Sequence, residues 1–176
     1  MARRIERDGR KTVHDEAQAS LFEFVGDWLS ANDWQITAHA AGGWYAMSYH
    51  GLHADWRVIV DCSETAASRR VLVYSVFPVR VPAGRRSAVS EFLTRANYGM
   101  PLATFELDFD DGEVRLRTVA ETADSSISGE TIDRLLMANL GASDRYLPAL
   151  LGVAFGRLDP AEAVALSEVV IEGALQ

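Results

Sequence analysis

The apolar positions of this chain change period several times, and each change predicts an element. Leu21, Phe22, Val25, Trp28 and Leu29 recur at helical spacing, so HDEAQASLFEFVGDWLSAN predicts a helix with one apolar stripe. Asp15 and Glu16 suit its positive N-terminal end, and Asn32 suits its stop. The period then shortens. WQITAHA is a candidate short strand. GGWYAMSYHG alternates, with Tyr45, Met47 and Tyr49 on one face and Trp44, Ala46 and Ser48 on the other. ADWRVIVDC alternates around Trp56, Val58 and Val60. RRVLVYSVFPV is nearly continuous apolar, the mark of a buried central strand. Short links rich in Gly, Ser, Ala and Asp predict antiparallel hairpins.

GRRSAVSEFLTRANYGM returns to helical spacing through Val89, Phe92, Leu93 and Ala96. Gly99 is placed as its left-handed cap, and Pro101 prevents continuation. FELDFDDGEVRLRT follows as two strands. Ser128 can cap SGETIDRLLMANL, whose Ile132, Leu135, Leu136 and Leu140 point inward. Gly141 is expected to break or bend that helix. SDRYLPALLGVAFG predicts another helical segment, with Pro148 near a first turn or at a kink. Asp159, Pro160 and Glu162 form a capping-box start for the last helix. The predicted order is α-β-β-β-α-β-β-α plus a C-terminal helix. That is an α+β fold, an antiparallel sheet with helices packed against it.

FELDFDDGEVRLRT crowds its carboxylates around one glycine, so it needs a chemical test. A helix–loop–helix calcium loop wants ligands at positions 1, 3 and 5, Gly at 6 and Glu at 12. Counting from Asp108 puts Asp110 at 3, but Gly112 at 5 and Val119 at 12, so the register fails. A hairpin fits instead. Asp111-Gly112 is a preferred two-residue type I′ tip. Asp110 then faces Glu113, Phe109 faces Val114, Asp108 faces Arg115, Leu107 faces Leu116, Glu106 faces Arg117 and Phe105 faces Thr118. One face is apolar and the other sets acids against arginines, in pairs that contribute about 0.2–1 kcal/mol each.

Composition narrows the chemistry. The 176 residues suit one domain, and 48% hydrophobic with 24% charged residues is ordinary for a globular chain. A net charge of −8 argues against nucleic acid or an anionic membrane as the main partner. The opening MARRIERDGRK is basic, and residues 1–14 are expected to be a solvated, disordered tail. It has no apolar stretch of a secretory signal, and no run reaches the length of a membrane span. Lys11, in that tail, is the single lysine, so a Schiff-base or phosphate-loop lysine has no seat in the core. One cysteine, Cys62, excludes an internal disulfide and suits a reducing cytosol.

HGLHAD places His50, His53 and Asp55 within six residues, a spacing compatible with zinc but equally with a hairpin loop. His14 and His39 have no partner in sequence. No serine elbow and no dinucleotide fingerprint is present. Cys62 follows VIVD and reads as a small buried residue. GVAFG reads as close helix packing. The tryptophans and tyrosines of the first helix and early strands read as core, or as an exposed aromatic sheet face for a partner. No catalytic, cofactor or metal residue is assigned.

RVPAGRRSAVSEFLTRANYGMPLATFELDFDDGEVRLRT resembles the YbjN family, also called bacterial sensory transduction regulators. The matching positions are Trp34, Val81-Pro82, Arg85, Arg86, Asn97, Phe105, Glu106, Leu107, Asp108, Asp111, Gly112 and Arg115. DRYLPALLGVAFG also resembles family members. Ala103-Thr104 stand where the family often has a glycine before its FELD. The similarity runs from about residue 15 to 158, leaving the basic tail and the helix at 159–176 outside it. The resemblance implies a type III secretion chaperone-like fold that commonly dimerises, with no enzyme activity or cofactor. The expectation is a cytoplasmic, homodimeric, non-catalytic regulatory or chaperone-like adaptor domain binding a protein partner. The alternative is a small-ligand or metal-binding module built on HGLHAD and nearby aromatics.

Overall fold

The computed structural model describes residues 20–123 and 127–173. The basic tail, His14, Asp15 and Glu16 lie outside the described residues. The first helix, α1, is Leu21–Ala31. Its start is set by Ser20, whose hydroxyl accepts from the Glu23 N–H while the Glu23 carboxylate accepts from the Ser20 N–H. The stripe is Leu21, Val25 and Leu29, all buried.

Glu64, at the far end of a core strand, also holds this helix. Its carboxylate accepts the Leu21 N–H at 2.8 Å and pairs with Arg69 at 2.6 Å. The Leu21 hydrogen bond, helped by Arg69, holds its carboxyl below the usual 4.5. A depressed carboxyl adds stability above its ordinary pKa, and that stability is lost as pH falls through the folded value. Glu64→Gln should therefore melt lower than the parent at neutral pH and lose less on acidification below pH 4.5. Thermal melts from pH 7 to 3 check this, and parallel acid limbs would refute it.

The sheet has six strands: β1 Thr37–His39, β2 Trp44–His50, β3 Asp55–Glu64, β4 Arg69–Arg80, β5 Ala103–Leu107 and β6 Glu113–Thr122. All neighbours are antiparallel, in the order β1-β2-β3-β4-β6-β5. The candidate strand in WQITAHA does form, so four strands precede the second helix, one more than the order written without it. Alternation sends Tyr45, Met47, Trp56, Val58, Val60, Val71, Val73, Phe77, Val114 and Leu116 to one face, where α1 and later helices bury them.

Helix α2 spans Arg86–Gly99 and buries Val89, Phe92, Leu93 and Ala96. Gly99 is not its left-handed cap. The chain leaves the helix at Met100, with φ −95° and ψ 116°. Pro101 explains the exit, since the residue before a proline is pushed to extended backbone. Near its end, Asn97 clamps the outer edge of β5. Its amide donates to the Phe105 carbonyl at 3.1 Å and accepts the Phe105 N–H at 2.7 Å. A strand edge left open invites association with other chains, and this side chain closes it.

Two expected segments fuse into one helix. α3 runs unbroken through Gly129–Ala154, 26 residues, with Pro148 inside it. Gly141 does not break it, because Leu140, Ser143, Leu147 and Leu150 keep one buried face across the glycine. Packing outweighs a local propensity cost of about 1 kcal/mol. Pro148 lacks an N–H, which frees the carbonyl of Asp144 one turn back. The His53 ring takes that carbonyl at 3.0 Å.

Asn139, passed over in the sequence reading, joins this helix to the sheet. It is fully buried. Its amide donates to the carbonyls of Val73 and Leu116, at 3.0 and 3.1 Å, on two adjacent strands. Its oxygen accepts from the Ser75 hydroxyl at 2.5 Å, and that hydroxyl accepts from the Trp56 indole at 2.9 Å. The last helix, α4 Pro160–Gly173, packs on α2 and α3 with Ala163 and Ser167 buried. Asp159 accepts the Ala161 N–H at its start.

The hairpin forms in a different register from the expected one. Leu107 faces Val114, Glu106 faces Arg115, Phe105 faces Leu116 and Thr104 faces Arg117. This is a slip of two residues, which leaves both faces intact because the side-chain period is two. The loop is Phe109 to Gly112 rather than a two-residue type I′ tip. Of its residues only Gly112 has positive φ, +80°. Asp108 accepts the Asp110 N–H at 2.7 Å and Asp111 accepts the Glu113 N–H at 2.8 Å, bonds that favour the wider loop. Phe109 leaves the apolar face and is exposed.

Candidate functional site

Glu106, Asp108, Asp111 and Glu113 are engaged in holding the hairpin. Glu106 bridges Arg115 and Arg117, at 2.6 and 3.0 Å. Arg80 reaches Asp111 at 3.3 Å and Glu113 at 2.8 Å. Arg86 donates to the carbonyls of Phe109, Asp110 and Val81, tying the loop to the start of α2. Arg85 donates twice to the Val153 carbonyl, at 3.1 and 2.7 Å. It thereby satisfies an open carbonyl at the C-terminal end of α3. Arg85 and Arg86 of the resembling segment thus act as structural ties.

The histidines of HGLHAD diverge. His50 pairs with Asp55 at 3.0 Å at the surface. His53 turns to α3, where Asp144 accepts its backbone N–H at 3.1 Å and lies 3.3 Å from its ring. Among the described residues no three of His, Cys, Asp and Glu cluster at metal distance. His39 stacks on Trp44 with ring centres 3.6 Å apart. Burial, with Asp61 adding to it, pushes the Cys62 thiol up to about 12, so it stays protonated at neutral pH.

Among the described residues two surfaces stand out. The first is the sheet face opposite the helices. Register places Ile59 beside Tyr74 and Leu72 beside Val119, with Val76 next along β4. Arg57, Arg70, Arg115 and Arg117 share this face with Asp61 and Glu106. The Arg115 guanidinium lies 4.6 Å over the Tyr74 ring. Val119 is 45% exposed there.

The second is a cavity of about 500 Å³ bounded by the β2–β3 loop, α3 and α4. Its walls include Tyr49, Leu140, Pro148, Leu158 and Leu166. Leu52 and Leu166 are 84% and 54% exposed. The wall formed by the β2–β3 loop is held by the bonds of His53 to Asp144. Arg145 also lines this cavity. Its guanidinium sits 4.8 Å over the Tyr146 ring, and its Nε is shielded from solvent with no acceptor. Burial pushes the Tyr146 phenol up; Arg145 opposes that shift and Glu168 adds to it. Sequence reading singled out His53 at this cavity but neither Asp144 nor Arg145. The signal available was Pro148, whose missing N–H marks the carbonyl that His53 takes.

Among the described residues no helix is long and apolar enough to cross a membrane. No curated protein matches the chain significantly. Among solved structures, a crystal structure of YbjN from E. coli is similar at 12% identity and a TM-score of 0.41, covering 69% of this chain and 90% of that one. The HopA1-SchA chaperone-effector complex is similar at 16% identity and a TM-score of 0.41, covering 76% and 94%. The YbjN family model, described as "Putative bacterial sensory transduction regulator", matches residues 23–152. That span is most of the 176 residues, and the chain belongs to the YbjN family.

Proposed function

We propose that this chain is a non-catalytic regulatory domain of the cytoplasm that works by binding protein, beginning with a second copy of itself. The observation that carries the reading is the open sheet face, where Ile59, Tyr74, Val76 and Val119 form an apolar row around the buried Leu72, a row that no helix of the described residues covers. Contiguous apolar surface of this kind is a mark of association. Its flanks carry both signs of charge, Arg57 and Arg70 as well as Asp61. A two-fold axis can set the arginines of one copy against the acid of the other. Family membership supports the same reading, through the dimerising chaperone-like module that the resemblance implies. The non-catalytic part is supported by the spent side chains. The hairpin acids bond the hairpin, His53 bonds α3, and Cys62 is held as a thiol.

Light scattering on the full chain tests this. The expected mass is twice 19.3 kDa. Val76→Glu with Val119→Glu is expected to give a monomer with an unchanged circular dichroism spectrum. A monomeric parent at all concentrations, or a dimer indifferent to both substitutions, overturns it.

A further inference from the structure

We infer that the cavity between α3 and α4 is a binding site for a small amphipathic carboxylate, its head on Arg145 and its apolar tail along the helices. The site goes beyond the self-association reading and lies away from the open sheet face.

The head is assigned by charge. Among the described residues no carboxylate lies within ion-pair distance of Arg145. The acid on the cavity wall, Asp144, is already bonded by the backbone and ring of His53, and Glu168 is engaged by the Tyr146 phenol. Arg85 and Arg86, by contrast, donate to backbone carbonyls. The Arg145 guanidinium meets the Tyr146 ring and hydroxyl but no carboxylate, and a partly buried cation is costly to keep without an anion. A carboxylate matches its planar donors in pairs, which a neutral or cationic head cannot do.

The tail is assigned by shape and lining. A volume of about 500 Å³ lies within the range of roughly 300–1,000 Å³ typical of small-molecule sites. Leu140, Pro148, Leu158 and Leu166 offer apolar walls to a medium-length acyl chain. The walls are set in advance. His53 fastens the loop to the carbonyl that Pro148 leaves free, so less ordering is needed on binding.

Titration calorimetry and thermal shift with decanoate, decanol and decyltrimethylammonium, each below its micelle concentration, test the site on the full chain. Decanoate is expected to bind saturably at one per chain and to raise the melting temperature. Decanol is expected to bind at least tenfold more weakly, and the cation weaker still. Arg145→Gln should weaken decanoate at least tenfold and leave decanol unchanged. Leu166→Glu, at an exposed rim position, should weaken both. The proposal is overturned if decanoate shows no saturable binding, or if decanol binds as well. It is equally overturned if neither variant, folded as judged by circular dichroism, alters decanoate affinity. The oligomeric state of the parent is read separately, so failure of this site leaves the dimer reading standing, and the reverse.

Discussion

Asn139→Leu should destabilise the protein by about 2–4 kcal/mol, although the two side chains are close in size. The variant leaves the Ser75 hydroxyl buried with no acceptor, and the Val73 and Leu116 carbonyls each lose a donor. A buried donor left unpaired costs about 1–3 kcal/mol by itself, and the lost bonds add to it. At roughly 2–4 °C per kcal/mol for a chain of this length, the melting midpoint should fall by about 5–15 °C. A fall of under about 2 °C would show that the network contributes little. Ser75→Ala tests the same network from the other side, since it also removes the acceptor of the Trp56 indole. The double variant should cost less than the sum of the two singles, because both break one set of bonds.

Gly112→Val should cost about 3 kcal/mol or more, through two separate effects. At φ +80° an L-residue pays for left-handed backbone, and a β-branched one pays most. A Cβ at this position would also stand 2.3 Å from the Val81 carbonyl oxygen and 2.9 Å from its nitrogen. The hydrogen bond from the Val81 N–H to the Gly112 carbonyl, 2.8 Å, is what brings these backbones together. Gly112→Asn separates the two effects. Asparagine tolerates left-handed backbone, so a purely conformational role makes that variant nearly neutral. Contact with Val81 makes it costly as well, and that is the expected result. Chemical denaturation of the three proteins checks it, with a near-parental midpoint for Gly112→Asn refuting the contact.

The hairpin shows how far local pattern reaches. Alternation placed Phe105 with Val114 and Leu116, and Glu106 with the arginines, on the correct faces. It could not choose between registers two residues apart, since both present the same faces. The choice came from Arg86, Val81 and the turn bonds of Asp108 and Asp111, which accompany the wider loop. The same limit applied at Gly141. Its local propensity reads as a break, and only the continuous buried face of α3 overrides it. For the open surfaces, the strand pattern implied an outward face but not whether a helix covers it. Of the cavity, only His53 in HGLHAD was legible, because His53 lies about ninety residues from Asp144 and Arg145 in the chain and meets them only through packing.

By itself, then, the sequence determined the elements, the antiparallel sheet, the inward and outward faces and the family. These rest on period, turn chemistry and motif, which are local. The register of the hairpin, the unbroken α3, the Asn139 network and the cavity around Arg145 were decided only by the tertiary structure. Each depends on a bond or contact between distant segments, and local pattern carries no information about which distant group will arrive.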